Sequence, residues 1–278
     1  MSKLIVTHVS PDFDGIPAIW LFRKFHPDFK NARVAFVPAG STYNNAPVDS
    51  DPDIVHVDTG LGKFDHHQSN DFTCGAQKVY EYLVAEGYIK DDEALSRLVK
   101  VLTELDHGWD NYKWPEPASD RNEFLVHNVL SGWKIMEQAS DEKCVEWVSF
   151  VIESIYRLLQ SKVRAETEIK NGSEFETRWG KGVAVLSSNS TVLDLAIKMG
   201  FAVVVIKDPN RGNVRVTGSN VKGVDFTNTY AQILKLDKEG TWFLHSSLVL
   251  LRNGSSRNPT MKPTKLNLDQ MIEVLRKA

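Results

Sequence analysis

One stretch, residues 53–69 (DIVHVDTGLGKFDHHQS), constrains this chain more than any other. An apolar run at 54–57 ends in Asp58, and a glycine-flanked turn leads to a second short run that ends in Asp-His-His at 65–67. The pattern predicts that these four side chains leave the ends of neighbouring strands, where loops hold the chain. Because carboxylates and imidazoles bind metals and carry protons, four of them within ten residues indicate a functional site.

Length and composition predict a globular protein of two domains. The chain has 278 residues, of which 42% are hydrophobic and 25% charged, and its net charge is −3. These values are ordinary for globular proteins. No apolar run approaches the roughly 18 residues of a membrane span, and we find no secretory signal. The two cysteines, Cys74 and Cys144, are widely spaced, so we expect a cytoplasmic protein. We expect no membrane association, and the negative net charge predicts no bulk electrostatic attraction to DNA.

The N-terminal part predicts a strand, a loop, a helix and two further strands. The strands are expected at 4–6, 32–37 and 54–58, and the apolar spacing over 16–25 predicts the helix. This order indicates an α/β domain with a mainly parallel sheet. Ligands of such sheets lie at the carboxyl ends of the strands. The polar side chains at those ends are His8, Asp12, Asp14, Asp58 and Asp65.

The middle of the chain predicts helices. One of them ends at Asp106, which places another carboxylate at the end of an element. We predict an N-terminal α/β domain at 1–120, a long helical connector at 121–178 and a smaller α/β domain at 179–278. The active site is expected in the cleft between the two domains.

The carboxylates and histidines at element ends form a set of metal ligands rich in oxygen. Hard divalent cations prefer oxygen, and the added imidazole favours Mn²⁺ over Mg²⁺ or Ca²⁺. Eight groups are too many for one ion, whereas two ions roughly 3.5–4 Å apart, bridged by a carboxylate, use most of them. Without metal the carboxylates would repel one another, which is a poor way to stabilise a fold. The eight groups are His8, Asp12, Asp14, Asp58, Asp65, His66, His67 and Asp106.

These residues resemble the four motifs of the DHH phosphoesterase superfamily. The superfamily includes RecJ-type exonucleases, oligoribonucleases, manganese-dependent pyrophosphatases and cyclic-dinucleotide phosphodiesterases. The Asp-His-His-Gln form is more similar to Myg-type exonucleases, whereas the first motif, SPDFDG, is RecJ-like. The matching elements span roughly residues 4–110 and are His8-x-x-x-Asp12-x-Asp14, Asp58 after an apolar strand, Asp65-His66-His67, and Asp106.

The resemblance implies a role for each matching residue. Asp58 would bridge two metal ions. His67 would contact the substrate phosphate or act as an acid, and Asp65 would orient His66. One metal would be held by His8 and Asp12, and the other by Asp14, His66 and Asp106.

Members of the superfamily often carry a C-terminal domain whose glycine-rich loop and basic residues hold the substrate. Here the matching loop follows an apolar strand, but it lacks the usual run of glycines followed by histidine. Residues 252–265 carry four basic residues and no acid, and the glycine and serine N–H groups predict a phosphate cradle. A solvated loop is the alternative. The predicted substrate-binding residues are Arg252, Asn253, Gly254, Ser255, Ser256 and Arg257.

Together these features predict a phosphoesterase that depends on two Mn²⁺ ions, with Mg²⁺ or Co²⁺ as substitutes. An acidic chain with one modest basic patch favours short oligonucleotides or nucleotide-like small molecules as substrates. One alternative is a pyrophosphatase or exopolyphosphatase that cleaves phosphoanhydrides. Another is a non-catalytic, metal-binding regulatory protein. A homodimer is left open.

Three aromatic residues follow Asp106, namely Trp109, Tyr112 and Trp114. Exposed aromatic rings can stack on nucleobases. Packing in the core or in an interface is the expectation that we favour for them.

Overall fold

The structure of the chain is a computed structural model, and it describes residues 3–113, 115–137, 140–254 and 258–278. The chain divides into two compact units, Met1–Gln160 and Ser161–Ala278. Each unit is described by itself. Among the described residues, no helix is both long and apolar enough to cross a membrane.

A parallel three-stranded sheet organises the first unit. Its central strand, β1 (Leu4–His8), is hydrogen-bonded to β2 (Arg33–Val37) on one side and to β3 (Ile54–His56) on the other. Ile5 and Val6 of β1 are fully buried, as expected for a parallel strand covered on both faces. The predicted parallel α/β sheet is confirmed, and its three carboxyl ends share one edge.

Six α-helices begin in the described part of the first unit. Helix α3 begins after Asp92, whose carboxylate accepts the Leu95 N–H, and it ends at Asp106. Asp106 therefore lies at the end of an element, as predicted. The helices that begin in this unit are α1 (Gly15–Phe25), α2 (Gly75–Ala85), α3 (Glu93–Asp106), the single turn α4 (Asp110–Lys113), α5 (Val126–Glu137) and α6 (Asp141–Lys170).

The N-terminal part of α6 packs on the helices of the first unit. The Lys24 ammonium lies 2.8 Å from the Glu153 carboxylate. The Tyr156 ring packs edge-on against Trp20, with centroids 5.7 Å apart. These contacts explain why the first unit extends to Gln160, whereas the boundaries predicted from the sequence were 120 and 178.

The second unit is built on a six-stranded sheet in the order β4-β5-β6-β7-β9-β8. Only β5 and β6 are parallel neighbours; the other pairs are antiparallel. Strand β4 precedes the predicted domain start at 179, yet it belongs to this sheet. The strands are β4 (Ser173–Thr177), β5 (Gly180–Leu186), β6 (Val203–Lys207), β7 (Val214–Gly218), β8 (Phe243–Leu244) and β9 (Leu250–Arg252), and the helices are α7 (Thr191–Lys198), α8 (Thr227–Leu236) and α9 (Leu268–Arg276).

The apolar run of β6 is explained by burial on both faces of this sheet. Val203 and Val205 belong to one core cluster, whereas Val204 and Ile206 belong to the other. Alternate residues of a strand point to opposite faces, so a strand covered on both sides is apolar throughout. The second unit is therefore α/β, as predicted.

Candidate metal centre

The carboxyl edge of the first sheet carries the predicted side chains. His8 is the last residue of β1, and Asp58 follows β3 by two positions. The Asp58 N–H donates to the Phe64 carbonyl at 3.0 Å, and Val57 forms an isolated parallel bridge with Phe64. The second short run is thus a single bridge rather than a full strand. This bridge brings the Asp-His-His segment back beside Asp58.

Asp58 lies at the centre of the cluster. It is 4% exposed, and its φ of 53° lies in the left-handed region, which aspartate adopts more readily than most residues. Its Oδ2 lies 3.2 Å from His8 Nε2. Its buried Oδ1 has no hydrogen-bond partner among the described residues. An unsatisfied buried carboxylate oxygen in an uncommon backbone conformation is typical of a functional site.

Three carboxylates converge on one nitrogen of His66. The distances from His66 Nε2 are 3.5 Å to Asp14 Oδ2, 3.6 Å to Asp58 Oδ1 and 3.7 Å to Asp106 Oδ2. All three exceed hydrogen-bonding distance, and the buried Nε2 has no hydrogen-bond partner within the described chain. Three carboxylate oxygens thus lie near this nitrogen without hydrogen bonding to it, an arrangement compatible with a shared cation.

The possible metal ligands fall into three groups, and within each group the ligand atoms lie within 4.8 Å of one another. Asp58 belongs to two of the groups. Their oxygen-rich chemistry, with some imidazole, fits hard divalent cations such as Mn²⁺. The structure therefore brings together the residues of the predicted ligand sets, while their binding of metal stays a prediction. The groups are His8 with Asp12 and Asp58, Asp14 with His66 and Asp106, and Asp58 with His66 and His67.

The ionisable groups of the cluster shift one another's pKa values. Burial, with the neighbouring Asp58, raises the pKa of Asp14 well above its usual value, and burial also raises the pKa of Asp106. Burial opposes ionisation of Asp58, yet contacts with His66 and His8 outweigh it and lower its pKa to about 2. The Asp58 carboxylate in turn raises the pKa of both histidines to about 9. The cluster is thus a site that favours positive charge.

The Asp65 carboxylate forms a side-chain hydrogen bond with His67, whereas the resemblance implied His66 as its partner. Its Oδ1 lies 2.7 Å from His67 Nδ1, and its Oδ2 accepts the Leu61 N–H at 2.7 Å. Burial opposes ionisation of Asp65, but hydrogen bonds from His67 outweigh it and lower the pKa of Asp65. Asp65 is 1% exposed and the His67 side chain 59%. A buried carboxylate therefore orients an exposed imidazole, which leaves Nε2 available to a ligand.

The cluster of possible metal ligands (the metal cluster) opens into a cavity of about 410 Å³. Sequence reasoning missed Ala39 and Gly40, which line it just after β2. The signal was available, because β2 ends at the same carboxyl edge of the sheet as β1. The lining residues are His8, Asp12, Ala39, Gly40, Asp58, Leu61, Asp65, His67 and Asp106.

Two glycines let the backbone approach the carboxylates. A Cβ added at Gly15 would lie 2.7 Å from Thr7 Oγ1 and 3.2 Å from Asp58 Oδ2. One added at Gly75 would lie 3.0 Å from Asp14 Oδ2. The Gly75 N–H donates to Asp14 at 2.7 Å, at the N-terminus of α2, where the helix dipole favours negative charge. Sequence analysis gave Gly75 no role at the site.

A lysine from α5 holds the loop that carries Asp12. Lys134 Nζ donates to the Pro11 carbonyl at 2.9 Å and to Ser10 Oγ at 3.3 Å. Within the loop, Asp12 Oδ1 accepts the N–H of Asp14 at 2.9 Å. The loop is therefore fixed both by its own turn and by a helix far along the chain.

The predicted substrate loop of the second unit begins with two residues engaged inside the sheet. The Arg252 guanidinium donates to two backbone carbonyls and to a threonine hydroxyl, and burial lowers its pKa to about 10. Asn253 is fully buried. Its amide donates to the carbonyls of Thr241 and Lys262 and accepts the Thr264 N–H. Asn253 therefore braces the fold, contrary to the expectation that it binds substrate.

Of the remaining loop residues, Gly254 lies within the described part of the chain. Gly254, with a φ of +85°, lines a polar cavity of about 330 Å³ together with Arg211 and Arg215. The sequence analysis assigned neither arginine to a site. Ser255, Ser256 and Arg257 lie outside the described residues. The phosphate cradle stays a prediction.

Comparisons with known proteins found similarity at the level of structure. No protein-family model and no curated protein sequence matches the chain. A solved DHH-domain structure, described as a member of the S1p family of ribosomal proteins, is similar over 99% of this chain and 86% of its own length. The identity is 11% and the TM-score 0.34, so the conclusions below rest on this chain's own geometry. The fold is α/β, and a solved structure similar to it is that of a DHH domain.

Proposed function

We propose that this chain is a divalent-metal-dependent phosphoesterase that hydrolyses phosphodiester bonds of short oligonucleotides or nucleotide-like small molecules. One observation carries the proposal: three carboxylates surround His66 Nε2, and neither that nitrogen nor Asp58 Oδ1 has a hydrogen-bond partner among the described residues. Such groups are expensive to bury unless something else binds them. Two bound cations would satisfy them.

Two of the three ligand groups would each hold one cation. Asp58 belongs to the group with His8 and Asp12, and its Oδ1 lies 3.6 Å from His66 Nε2 of the group with Asp14 and Asp106, so it is placed to contribute to both sites. When bound, two such ions lower the pKa of a water and neutralise charge on phosphoryl oxygens. We propose Mn²⁺ as the ion, because oxygen and imidazole ligands occur together. One ion would be held by His8, Asp12 and Asp58, and the other by Asp14, His66, Asp106 and Asp58.

The Asp65–His67 pair supplies an acid. Because the Asp65 carboxylate accepts a hydrogen bond from the Nδ1–H of His67, the Nε2 side of the ring is left to face the substrate. In its protonated form, His67 donates the Nε2 proton to the leaving oxygen and becomes neutral, while its Nδ1–H stays on the ring and remains hydrogen-bonded to the Asp65 carboxylate. In its neutral form, the same ring accepts a hydrogen bond from a protonated phosphate or a water.

The cavity lining favours phosphodiesters over polyphosphate. Among the described residues that line the cavity, none is lysine or arginine. A chain of many phosphates carries several negative charges and requires cationic side chains along its length. A phosphodiester carries a single charge, which the cations of the cluster would neutralise.

The test is hydrolysis of bis-p-nitrophenyl phosphate, a short RNA and pyrophosphate, each with Mn²⁺ and with EDTA. Asp58→Asn keeps the side-chain shape and tolerates a left-handed φ. It is expected to lower Mn²⁺-dependent turnover at least roughly 10²-fold. Asp28→Asn, an exposed change in the same unit, is the matched control and should keep full activity.

Three outcomes would overturn the proposal. If calorimetry shows that the wild type binds no divalent cation, the site is not a metal centre. If Mn²⁺ binds but none of the three substrates is hydrolysed, the chain is a metal-binding protein without this activity. A preference for pyrophosphate would move the assignment to phosphoanhydride hydrolysis.

A further inference from the structure

A row of aromatic rings runs outward from the metal cluster. The ring centroids of His66 and His107 lie 6.4 Å apart, and those of His107 and Phe72 lie 4.4 Å apart. Phe72 and Trp109 follow at 4.4 Å, with their planes inclined by 33°. The row therefore begins at a proposed metal ligand and ends on two large apolar rings. We call Phe72, His107 and Trp109 the aromatic platform.

The platform is not part of the core. Phe72 is 46% exposed and Trp109 50%, although rings of this size are usually well buried. Of the two kinds of packing expected for Trp109, packing in the core is therefore wrong, and packing in an interface stays a prediction. Tyr112, also expected to pack, is 87% exposed, and Trp114 lies outside the described residues.

Backbone and side-chain hydrogen bonds hold the platform in place. His107 Nδ1 bonds the Thr103 carbonyl at 3.0 Å, one turn earlier in α3. The Trp109 N–H donates to the Glu104 carbonyl at 3.0 Å, so its main chain is tied to the end of the same helix. Rings that are already positioned lose little conformational entropy when a ligand binds, which favours recognition.

We propose that the aromatic platform binds the base of a nucleotide substrate whose phosphate lies at the metal cluster. Nucleobases are planar and stack on exposed aromatic rings, whereas pyrophosphate and polyphosphate have no such group. The inference rests on the proposed function and names the substrate class of the same site. It selects nucleotides from among phosphate compounds, with Phe72 and Trp109 as the residues that determine specificity.

The test compares a dinucleotide with an otherwise identical abasic analogue, both with Mn²⁺. Phe72→Ala is expected to raise KM for the dinucleotide roughly 5- to 150-fold, with a small change in kcat and none in KM for the abasic analogue. Trp109→Ala should act in the same direction, and Phe72→Tyr should restore the wild-type KM. Phe150→Ala, at a ring that is 72% exposed in α6, is the control and should change neither substrate.

A binding experiment separates this inference from the proposed function. Calorimetry with adenosine monophosphate and with inorganic phosphate needs no turnover. Weaker binding of the nucleotide to Phe72→Ala, with phosphate binding unchanged, supports the platform even if the wild type hydrolyses nothing. Equal nucleotide affinity in wild type and variant, or an equal loss on the dinucleotide and the abasic analogue, overturns it.

Discussion

Two buried aspartates, one in each unit, are held in opposite ways. Asp237 of the second unit is 7% exposed. Its Oδ2 accepts hydrogen bonds from Trp242 Nε1 at 2.8 Å and from Thr264 Oγ1 at 2.5 Å, and its Oδ1 accepts the Gly240 N–H at 2.8 Å. Asp58 of the first unit is as buried, yet its Oδ1 has no hydrogen-bond partner in the described chain.

The comparison shows which property separates a structural carboxylate from a functional one. The pKa of both groups is lowered, against the opposing effect of burial, by hydrogen bonds for Asp237 and by histidines for Asp58. The direction of the pKa shift therefore does not distinguish them. The two carboxylates are distinguished by whether both of their oxygens accept hydrogen bonds, since buried polar groups that serve the fold alone are hydrogen-bonded. Four predictions test this contrast, from the largest expected effect to the smallest.

Asp237→Asn should destabilise the second unit by about 3 kcal/mol, because the new amide group faces donors rather than acceptors. Asp106→Asn, in EDTA, should change the free energy of unfolding by less than about 1 kcal/mol, or increase it, because it removes one of several repelling charges. Urea denaturation measures both. Similar losses in the two variants would remove the distinction between the units.

Mn²⁺ should stabilise the wild type by about 2.7 kcal/mol at a concentration one hundred times its Kd. The same titration of Asp106→Asn should give a much smaller stabilisation, because one oxygen ligand is weakened. Thermal unfolding with Mn²⁺ and with EDTA measures the difference. An identical gain in both proteins would place the metal elsewhere.

Gly15→Ala should lower turnover roughly tenfold, equivalent to about 1.4 kcal/mol of transition-state stabilisation, because its Cβ would press on Thr7 and Asp58. The control is Gly132→Ala in α5, where no atom of a described neighbour lies within 4 Å of the new Cβ. That change should leave turnover intact and stabilise the helix by up to about 1 kcal/mol. Steady-state kinetics that show equal activities would indicate that the carboxylates have room to move.

The effect of Asp237→Asn should also depend on pH. The pKa of Asp237 is lowered below 3.8 in the folded chain, so its contribution is complete at pH values above the unfolded pKa. It is lost as the pH falls through the folded pKa. Urea titrations of wild type and variant should therefore differ most near neutrality and converge on acidification. A difference that grows in acid would have the wrong sign.

Much of the first unit could be predicted from the sequence. Strand, loop and helix patterns are local, and parallel strands bring their carboxyl ends to one edge whatever the details of packing. This is why His8, Asp12 and Asp58, which end or follow strands of this sheet, come together as expected.

Other features depend on contacts that are distant in the sequence or on loop geometry. Adjacent histidines cannot be told apart by spacing, so the choice of His67 as the partner of Asp65 required the loop conformation. Asn253 resembled a loop residue because its partners, Thr241 and Thr264, lie more than ten residues away. The division at Gln160 falls inside the continuous helix α6, where local pattern carries no boundary signal.

Lys134 of α5 donates to the Pro11 carbonyl, so a helix more than a hundred residues later helps to order the loop that carries Asp12, a proposed metal ligand. Opening of α5 alone, a local unfolding event that leaves the β1–β3 sheet intact, would remove this restraint and leave the loop held by its own turn and by the bond from the Ser10 N–H to Asp141 Oδ1 of α6. Because local openings need less free energy than global unfolding, amide hydrogen exchange in α5 and in residues 10–15 should rise together.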